Sequence, residues 1–438
     1  MSAVWSTSAV SASEPSQETE RALAPVVILA AVIFNFALCF VDTNLFSIGA
    51  GVVISTEIAL IGIAFGLIWY RSFTLYDILF SVTAYFFVVM VFRANFDPKI
   101  VHDLLIPIAF FFVGRYLGSY RAADRLVTIL LVLALGASLF EWLALDTYLK
   151  YFNVIHYYVA RGTETSLQSD AAQGLFITDP ANGAGLFVNG TRFEPRTLLP
   201  FLGEHRVSGL FLEPVSLGNF GTIAFAWVLL RDRSLIWAFV SKILSIATIL
   251  VLADARFGFY FCFITLVIYL AAPIIRPTLL FLAPFLVMIA LATYAGAHWQ
   301  EVSDNGITGR LLRGGDALTA LDLLQVFGLQ ISDIFVNGYA GDAGYGYALV
   351  KIGLVGMAAI WALFVYAPDL DNEAWRFKNF IAFYSVSLLS VSASLFTIKT
   401  AALLWFLYGT LNNPNRAAED PRIRHSENVD DDISAEVI

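Results

Sequence analysis

Apolar residues in this chain fall neither on the one-sided stripe of a surface helix nor in the alternation of a half-buried strand; they fill long, nearly unbroken runs. Stretches suited to crossing about 30 Å of hydrocarbon lie at 25–41, 45–70, 75–92, 100–117, 126–145, 210–230, 235–252, 257–275, 278–297, 345–367, 380–396 and 398–411. The pattern predicts an all-α, polytopic integral membrane protein with about 12 transmembrane helices. The last pair is tight: residues 380–411 must supply two helices and a turn at about 1.5 Å per residue. One long helix, and so eleven spans in all, is the alternative. Two segments interrupt the rhythm, 146–209 and 298–344. Both are too long for simple connectors and are rich in Gly, Asn, Asp and aromatic residues, as functional loops are. There is no tandem repeat, and no pair of Pro/Gly-broken spans in matching halves of the kind that marks many carriers.

Lys and Arg in the short connections give the orientation, because cytoplasmic loops are enriched in them. Arg71, the group Arg115/Arg121/Arg125, the pair Arg231/Arg233, Arg276 and the pair Arg376/Lys378 fall in alternate connections, on the side of Arg21 and the C-terminal arginines. Both termini are therefore expected in the cytoplasm and both large loops outside. Composition agrees: 58% of the 438 residues are apolar and 14% charged, against about a quarter charged in a soluble domain, which excludes a cytosolic enzyme. The net charge of −9 belongs mainly to the ends, with −2 in residues 1–24 and −4 in residues 412–438. Those two polar tails read as disordered and cytoplasmic, flanking a membrane domain at 25–411. The N-terminus lacks the basic start and immediate apolar stretch of a cleaved leader. Cys39 and Cys262 lie within apolar runs and read as small hydrophobes, without a disulfide or a metal.

With this topology, Arg93, Lys99, Arg206, Arg256, Arg310, Arg313 and Lys399 sit at or near the outer surface. Arg256 occupies a connection of a few residues between two spans, and Lys399 another. A cation held there is costly unless it faces a cavity or an anion; the plainer reading is snorkelling to lipid phosphates. Several separate outer cations favour a shared anionic ligand. His205 and Arg206 precede a span that opens with Glu213–Pro214, which places a carboxylate about two turns into apolar helix, in need of a partner. The Gly-rich "VNGYAGDAGYGYALV" puts Asp342 and Tyr345 at the outer mouth of the tenth span, where Asp342 also suits a helix N-cap. There is no P-loop and no His-Glu-x-x-His motif, and the acidic runs sit in the C-terminal tail, so a metal-bound nucleotide-sugar site is not indicated. His102, His156, His205 and His298 are external but lack metal-ligand spacing, and read as satisfied histidines.

At these segments the chain resembles the Wzy-type bacterial polysaccharide polymerases, relatives of the O-antigen ligases. The matching pieces are "RVSGLFLEPVSLGNF", "LADARFGFYF", "GRLLRGGDALTAL", "DAGYGYALVKIGLVG" and "FTIKTAALLWFLYG", in order over residues 200–411; the first half matches only in hydropathy. The resemblance implies a GT-C type membrane glycosyltransferase at the outer (periplasmic) face of the bacterial inner membrane. Its donor would be a growing glycan on undecaprenyl diphosphate, its acceptor a hydroxyl of a lipid-linked repeat unit, and its partners the bilayer and a chain-length regulator or export complex, with no nucleic acid. Arg206, Arg256 and Arg310 match positions that would hold the diphosphate. Ligases tend to carry His at the mouth of the late span where this chain has Asp342, which favours polymerase over ligase, with exopolysaccharide polymerases of the xanthan and sphingan kind the nearest in character.

The chemistry asks for little else. A polyprenyl diphosphate is an activated leaving group, so the enzyme must stabilise phosphate charge, position the acceptor and receive its proton. Arginine forks bind phosphate in a fixed geometry, so a metal-independent reaction without a cofactor is expected. Asp342, Glu213 and His205 are the catalytic candidates: Asp342 for the proton, Glu213 to hold Arg206 or Arg256, and His205 as a neutral base in reserve. Arg206, Arg256, Arg310, Tyr345 and Lys399 are the substrate-binding candidates. Tyr148, Tyr151, Tyr157, Tyr158, Phe187, Phe193 and Trp299 are candidates for sugar stacking or for loop packing. The competing reading is a lipid-linked glycan flippase or other carrier with Glu57, Glu141 and Glu213 as relay sites; a non-catalytic assembly subunit is a third. Cysteine labelling tests the topology: residue 416 should label only from the cytoplasmic side, and labelling from outside would overturn the twelve-span arrangement.

Overall fold

The computed structural model describes residues 15–71, 73–93, 98–160, 196–203, 205–231, 236–298, 307–330 and 343–415. The described residues form helices and connecting turns, with no strand. Where spans are expected the chain forms α1 (Pro15–Asn44), α2 (Ala50–Ile68), α3 (Phe73–Arg93), α4 (Pro98–Leu117) and α5 (Tyr120–Leu143). In the second half these are α8 (Pro214–Arg231), α9 (Ile236–Leu252), α10 (Arg256–Ala271), α11 (Pro277–Ala297), α14 (Gly344–Tyr366), α15 (Asn372–Leu389) and α16 (Ile398–Leu411). Among the described residues seven helices are long and apolar enough to cross a membrane, and α9 and α16 are shorter apolar helices. The tight final stretch breaks at residues 390–397, around a 3-10 turn at Ser394–Phe396, so a single long helix there is excluded.

Three differences from expectation have local causes. The first helix starts at Pro15, ahead of the expected span, and residues 15–24 are helical and not disordered. Glu20 in that stretch accepts a bond from Tyr70 at 2.5 Å and pairs with Arg71, so the polar turn is anchored by the next connection. The expected loops also carry helix: α6 (Leu145–Tyr151), α7 (Val154–Ala160), α12 (Ile307–Thr319) and α13 (Leu323–Val326). Finally, α8 begins at Pro214, so Glu213 stands at the mouth of the helix and not two turns inside it. Proline lacks the N–H that a first helical position does not need, and Leu212 just before it turns left-handed with φ 59°.

The core runs through α1, α4, α5, α8 and α16, with Tyr148, Tyr157, Phe211 and Trp227 fully buried. Apolar contact alone favours no particular arrangement when the solvent is itself apolar, so membrane helices gain by close backbone approach at small residues. That is how α16 meets α4: a Cβ on Gly409 would overlap the Phe111 carbonyl, and one on Gly114 the Phe406 carbonyl. Asn413 Nδ2 closes the end of the pair by donating to the Gly118 carbonyl at 2.6 Å. Helix α14 is broken at Gly353, whose φ of 76° lies in the left-handed region. The freed backbone is satisfied from α3, where the Tyr85 hydroxyl donates to the Ile352 carbonyl at 2.6 Å and the Arg93 guanidinium to the Val350 carbonyl, as apolar surroundings require.

Gly409→Ala should lower stability by about 1–3 kcal/mol, read as a drop in melting temperature in detergent. Gly62→Ala is the control: nothing lies within 4 Å of its Cβ position, and it should leave the melting temperature unchanged or slightly raised.

Candidate functional site

The connection between α9 and α10 is a turn of three residues, Ala253–Ala255, and its backbone is the foundation of the site. A helix ends with four carbonyls that lack intrahelical partners. Here buried arginines supply them. The Arg196 guanidinium donates to the Val251 and Leu252 carbonyls. Arg206 donates from Nε to the Ala253 carbonyl at 3.1 Å and from Nη2 to the Asp254 carbonyl at 3.3 Å. Cations at a helix C-terminus also meet its negative dipole end. Arg196 keeps Nε and Nη1 buried without a hydrogen-bond partner.

Asp254 is the counter-charge. It is 1% exposed and adopts a left-handed φ of 45°, a conformation aspartate tolerates better than most residues. Its Oδ1 accepts from the backbone N–H of Thr197 at 3.1 Å and of Leu198 at 2.8 Å, which ties the segment after Arg196 to the turn. Its Oδ2 lies 3.8 Å from Arg256 Nε. Burial pushes the Arg206 guanidinium down to about 10, with Asp254 opposing the shift and Arg310 and Arg196 adding to it. Arg206 is thus still charged at neutral pH, and held near two further cations.

These side chains open into a cavity of about 90 Å³ lined by Arg206, Asp254, Arg256 and Arg310. The rest of its wall is Ala255 of the turn together with Val215, Gly218 and Asn219 in the first turns of α8, Phe257 and Gly258 at the start of α10, Ile307 on α12, and Leu388, Val391 and Ser392 where α15 ends. Among the described residues of the wall, three arginines stand with one aspartate, and the first turn of α10 faces the cavity with the positive end of a helix dipole. Such a chamber suits a phosphate-sized anion. Among the described residues no group of three His, Cys, Asp or Glu side chains could hold a metal ion.

The structure separates the other candidates from this chamber. Lys399 Nζ is buried and bonds Glu213 at 2.8 Å and the Phe211 carbonyl at 3.3 Å. Glu213 also accepts from Ser216 Oγ at 2.6 Å; the partner found for it is Lys399, where Arg206 or Arg256 was expected. His205 sits with Nε2 3.1 Å from Glu141, a fully buried carboxylate that accepts from the Ser208 N–H at 3.0 Å and the Gly209 N–H at 2.5 Å. Tyr345 is 1% exposed and spends its hydroxyl on the Val386 carbonyl at 3.0 Å. Glu213, His205, Tyr345 and Lys399 are not part of the cavity wall. Asp342, Phe187, Phe193 and Trp299 lie outside the described residues. The other described histidines have partners: His102 with Glu57 and Asp103, His156 with Asp42, His298 with the Tyr294 carbonyl.

Comparison with protein-family models, curated proteins and solved structures finds no match, so the functional reading rests on the site. Sequence reasoning reached Arg206, Arg256 and Arg310 but missed Arg196, Asp254, Asn219 and Ser392. For Asp254 a signal existed, since an acid two residues before an arginine in a very short connection is placed to pair with it.

Asp254→Asn keeps the acceptor for Thr197 and Leu198 but removes the counter-charge from among the arginines. Removing one partner of a buried pair costs about 3–5 kcal/mol; with Arg256 24% exposed, a loss nearer about 2 kcal/mol is expected from solvent screening. Thermal unfolding measures it, and an Asp254→Asn protein as stable as the wild type would show that the arginines need no neutralisation.

Proposed function

We propose that the protein is a polysaccharide polymerase of the Wzy type. It transfers a growing glycan from undecaprenyl diphosphate to a hydroxyl of a lipid-linked repeat unit at the outer face of the inner membrane, with twelve spans and both termini cytoplasmic. The observation that carries this reading is the convergence of Arg206, Arg256 and Arg310, from three separate stretches of chain, on one cavity. The resemblance implies a diphosphate-binding role for each of the three.

The division of labour follows from the contacts. Arg206 is fixed by the Ala253 and Asp254 carbonyls, while Arg256 and Arg310 enter from a helix start and from α12. Rigid, partly desolvated donors stabilise the charge that grows on a departing diphosphate, because they are oriented before the reaction begins. Breaking the sugar–oxygen bond to the diphosphate and forming one to the acceptor oxygen releases the acceptor's proton. In this reading Asp342 receives that proton, one residue before the described Ala343, itself a neighbour of α14's first turn. The arginine chamber supplies the electrophilic stabilisation, and no cofactor is required by the proposal.

In proteoliposomes given lipid-linked repeat units, Arg256→Ala and Arg310→Ala should each reduce chain extension by at least about ten- to a hundredfold, the size of losing a charge-assisted bond of about 1.5–3 kcal/mol. Lysine should rescue poorly, since a point charge does not replace a fork. Asp342→Asn should lose about a hundredfold or more with donor binding retained. Full activity in either alanine variant would remove that arginine from the site, and movement of substrate across the membrane without extension would replace the polymerase reading with a carrier.

A further inference from the structure

The chain between Arg196 and Val207 is a loop whose two ends are tied to the same turn. At its start, Arg196 donates to the Val251 and Leu252 carbonyls, and the Thr197 and Leu198 N–H groups donate to Asp254 Oδ1. At its end, Arg206 donates to the Ala253 and Asp254 carbonyls, and the Val207 N–H to the Leu252 carbonyl at 3.0 Å. Asp254 and Arg206 both line the arginine chamber, so the loop leaves the chamber wall and returns to it. Compact surface loops with closed ends frequently carry function.

The apex of this loop is apolar and exposed. Residues 198 to 203 read Leu-Leu-Pro-Phe-Leu-Gly, and none of them is buried; Leu199 is 46% exposed and Phe201 79%. Leu199 also adopts a left-handed φ of 53°, which a bulky side chain rarely takes. It opens the 3-10 turn Pro200–Leu202, closed by the Leu202 N–H donating to the Leu199 carbonyl at 3.1 Å. A strained backbone that presents large apolar side chains outward, and not into the fold, is the form of a contact surface.

Position decides what the apex meets. The Leu198 N–H is held 2.8 Å from Asp254, and Phe201 follows three residues later, at most about 11 Å of chain. In the polymerase reading the chamber holds a diphosphate whose lipid is bonded directly to one phosphate. The first isoprene units therefore begin within reach of this apex.

We propose that Leu199 and Phe201 form the contact surface for the first isoprene units of the lipid-linked donor. This rests on the polymerase reading and concerns the part of the donor that the arginines do not hold. A branched, unsaturated chain offers methyl groups and double bonds to a leucine side chain and an aromatic face, and contact removes apolar surface from water on both partners. The competing occupant is the bilayer itself, against which the apex would only anchor the loop.

Isothermal titration calorimetry on the full-length protein in detergent, where there is no bilayer, compares two probes. Geranyl diphosphate carries two isoprene units and inorganic pyrophosphate none. The wild type should bind geranyl diphosphate about tenfold or more tightly than pyrophosphate, the size expected for burying part of an apolar chain. Phe201→Ala and Leu199→Asn should each weaken geranyl diphosphate about five- to tenfold and leave the Kd of pyrophosphate unchanged. Asparagine tolerates the left-handed backbone, so its effect reports the side chain and not the turn. An unchanged Kd for geranyl diphosphate in both variants would overturn the proposal and leave the apex to the bilayer. An equal loss for pyrophosphate would also overturn it, since that is what a disturbed Asp254 would produce. A wild-type protein that binds pyrophosphate but gains nothing from the geranyl chain would reject this surface alone, whereas one that binds neither probe would refute the diphosphate chamber on which the surface depends.

Discussion

One carboxylate, that of Asp254, holds together a group of charges that would otherwise repel. It is buried at a turn, it fixes the backbone that follows Arg196, and it faces Arg256, while Arg196 and Arg206 grip the carbonyls on either side of it. Hydrogen bonds to carbonyls orient an arginine but do not neutralise it. Among the described residues of the cavity wall, three arginines stand with one aspartate. The turn is rigid for the same reason: loss of the aspartate would disturb the cap of α9, the start of α10 and the segment after Arg196 together.

Elsewhere several charges of the described bundle are paired, two of the pairs joining helices distant in sequence and one closing the turn before α15. Glu213 at the mouth of α8 meets Lys399 of α16, and Lys378 of α15 meets Asp369 at 2.8 Å. At the opposite end, Arg231 stacks on Tyr120 at 3.6 Å from the ring centre and reaches Glu373 at 3.5 Å. Removing either member of such a pair would strand a buried charge, so these contacts specify which helices are neighbours even where they add little net stability. The close α4–α16 contact sets the distance, and the pairs set the register. The arginine chamber differs in gathering three arginines and one aspartate, among the described residues, around one cavity.

Much of the helical frame was legible because a long apolar run has few alternatives to a helix in lipid. The cation convergence was legible in part, since arginines flanked by apolar helix at one end of the bundle have few places to go. Partner choice was not. The expected link between Glu213 and an arginine assumed that a helix continued upstream of Pro214; the chain instead turns at Leu212, and Lys399, 186 residues away, comes within reach. Helix α12 escaped notice for a different reason: it buries Leu312 together with three glycines, two of which, Gly314 and Gly315, approach the backbone at Ser390 and Leu291, and it lies within a segment rich in loop-forming residues. Arg196 lay in a long polar loop, where sequence gives no sign that a residue is buried.

The same pairings bear on carrier against transferase. A carrier that moves ions needs carboxylates that change partners as the protein alternates between states. The three that the sequence offered as relay sites are each tied to groups on other elements: Glu57 near His102, Glu141 to two backbone N–H groups and His205, and Glu213 to Lys399. Moving Glu141 would free the turn at Ser208–Gly209, two residues from Arg206, and so disturb the anion chamber itself. A fixed cage of this kind favours holding a charged group still while a bond to it breaks. It is poorly suited to releasing that group on the far side of the membrane, and this asymmetry is the physical reason to prefer transfer over transport.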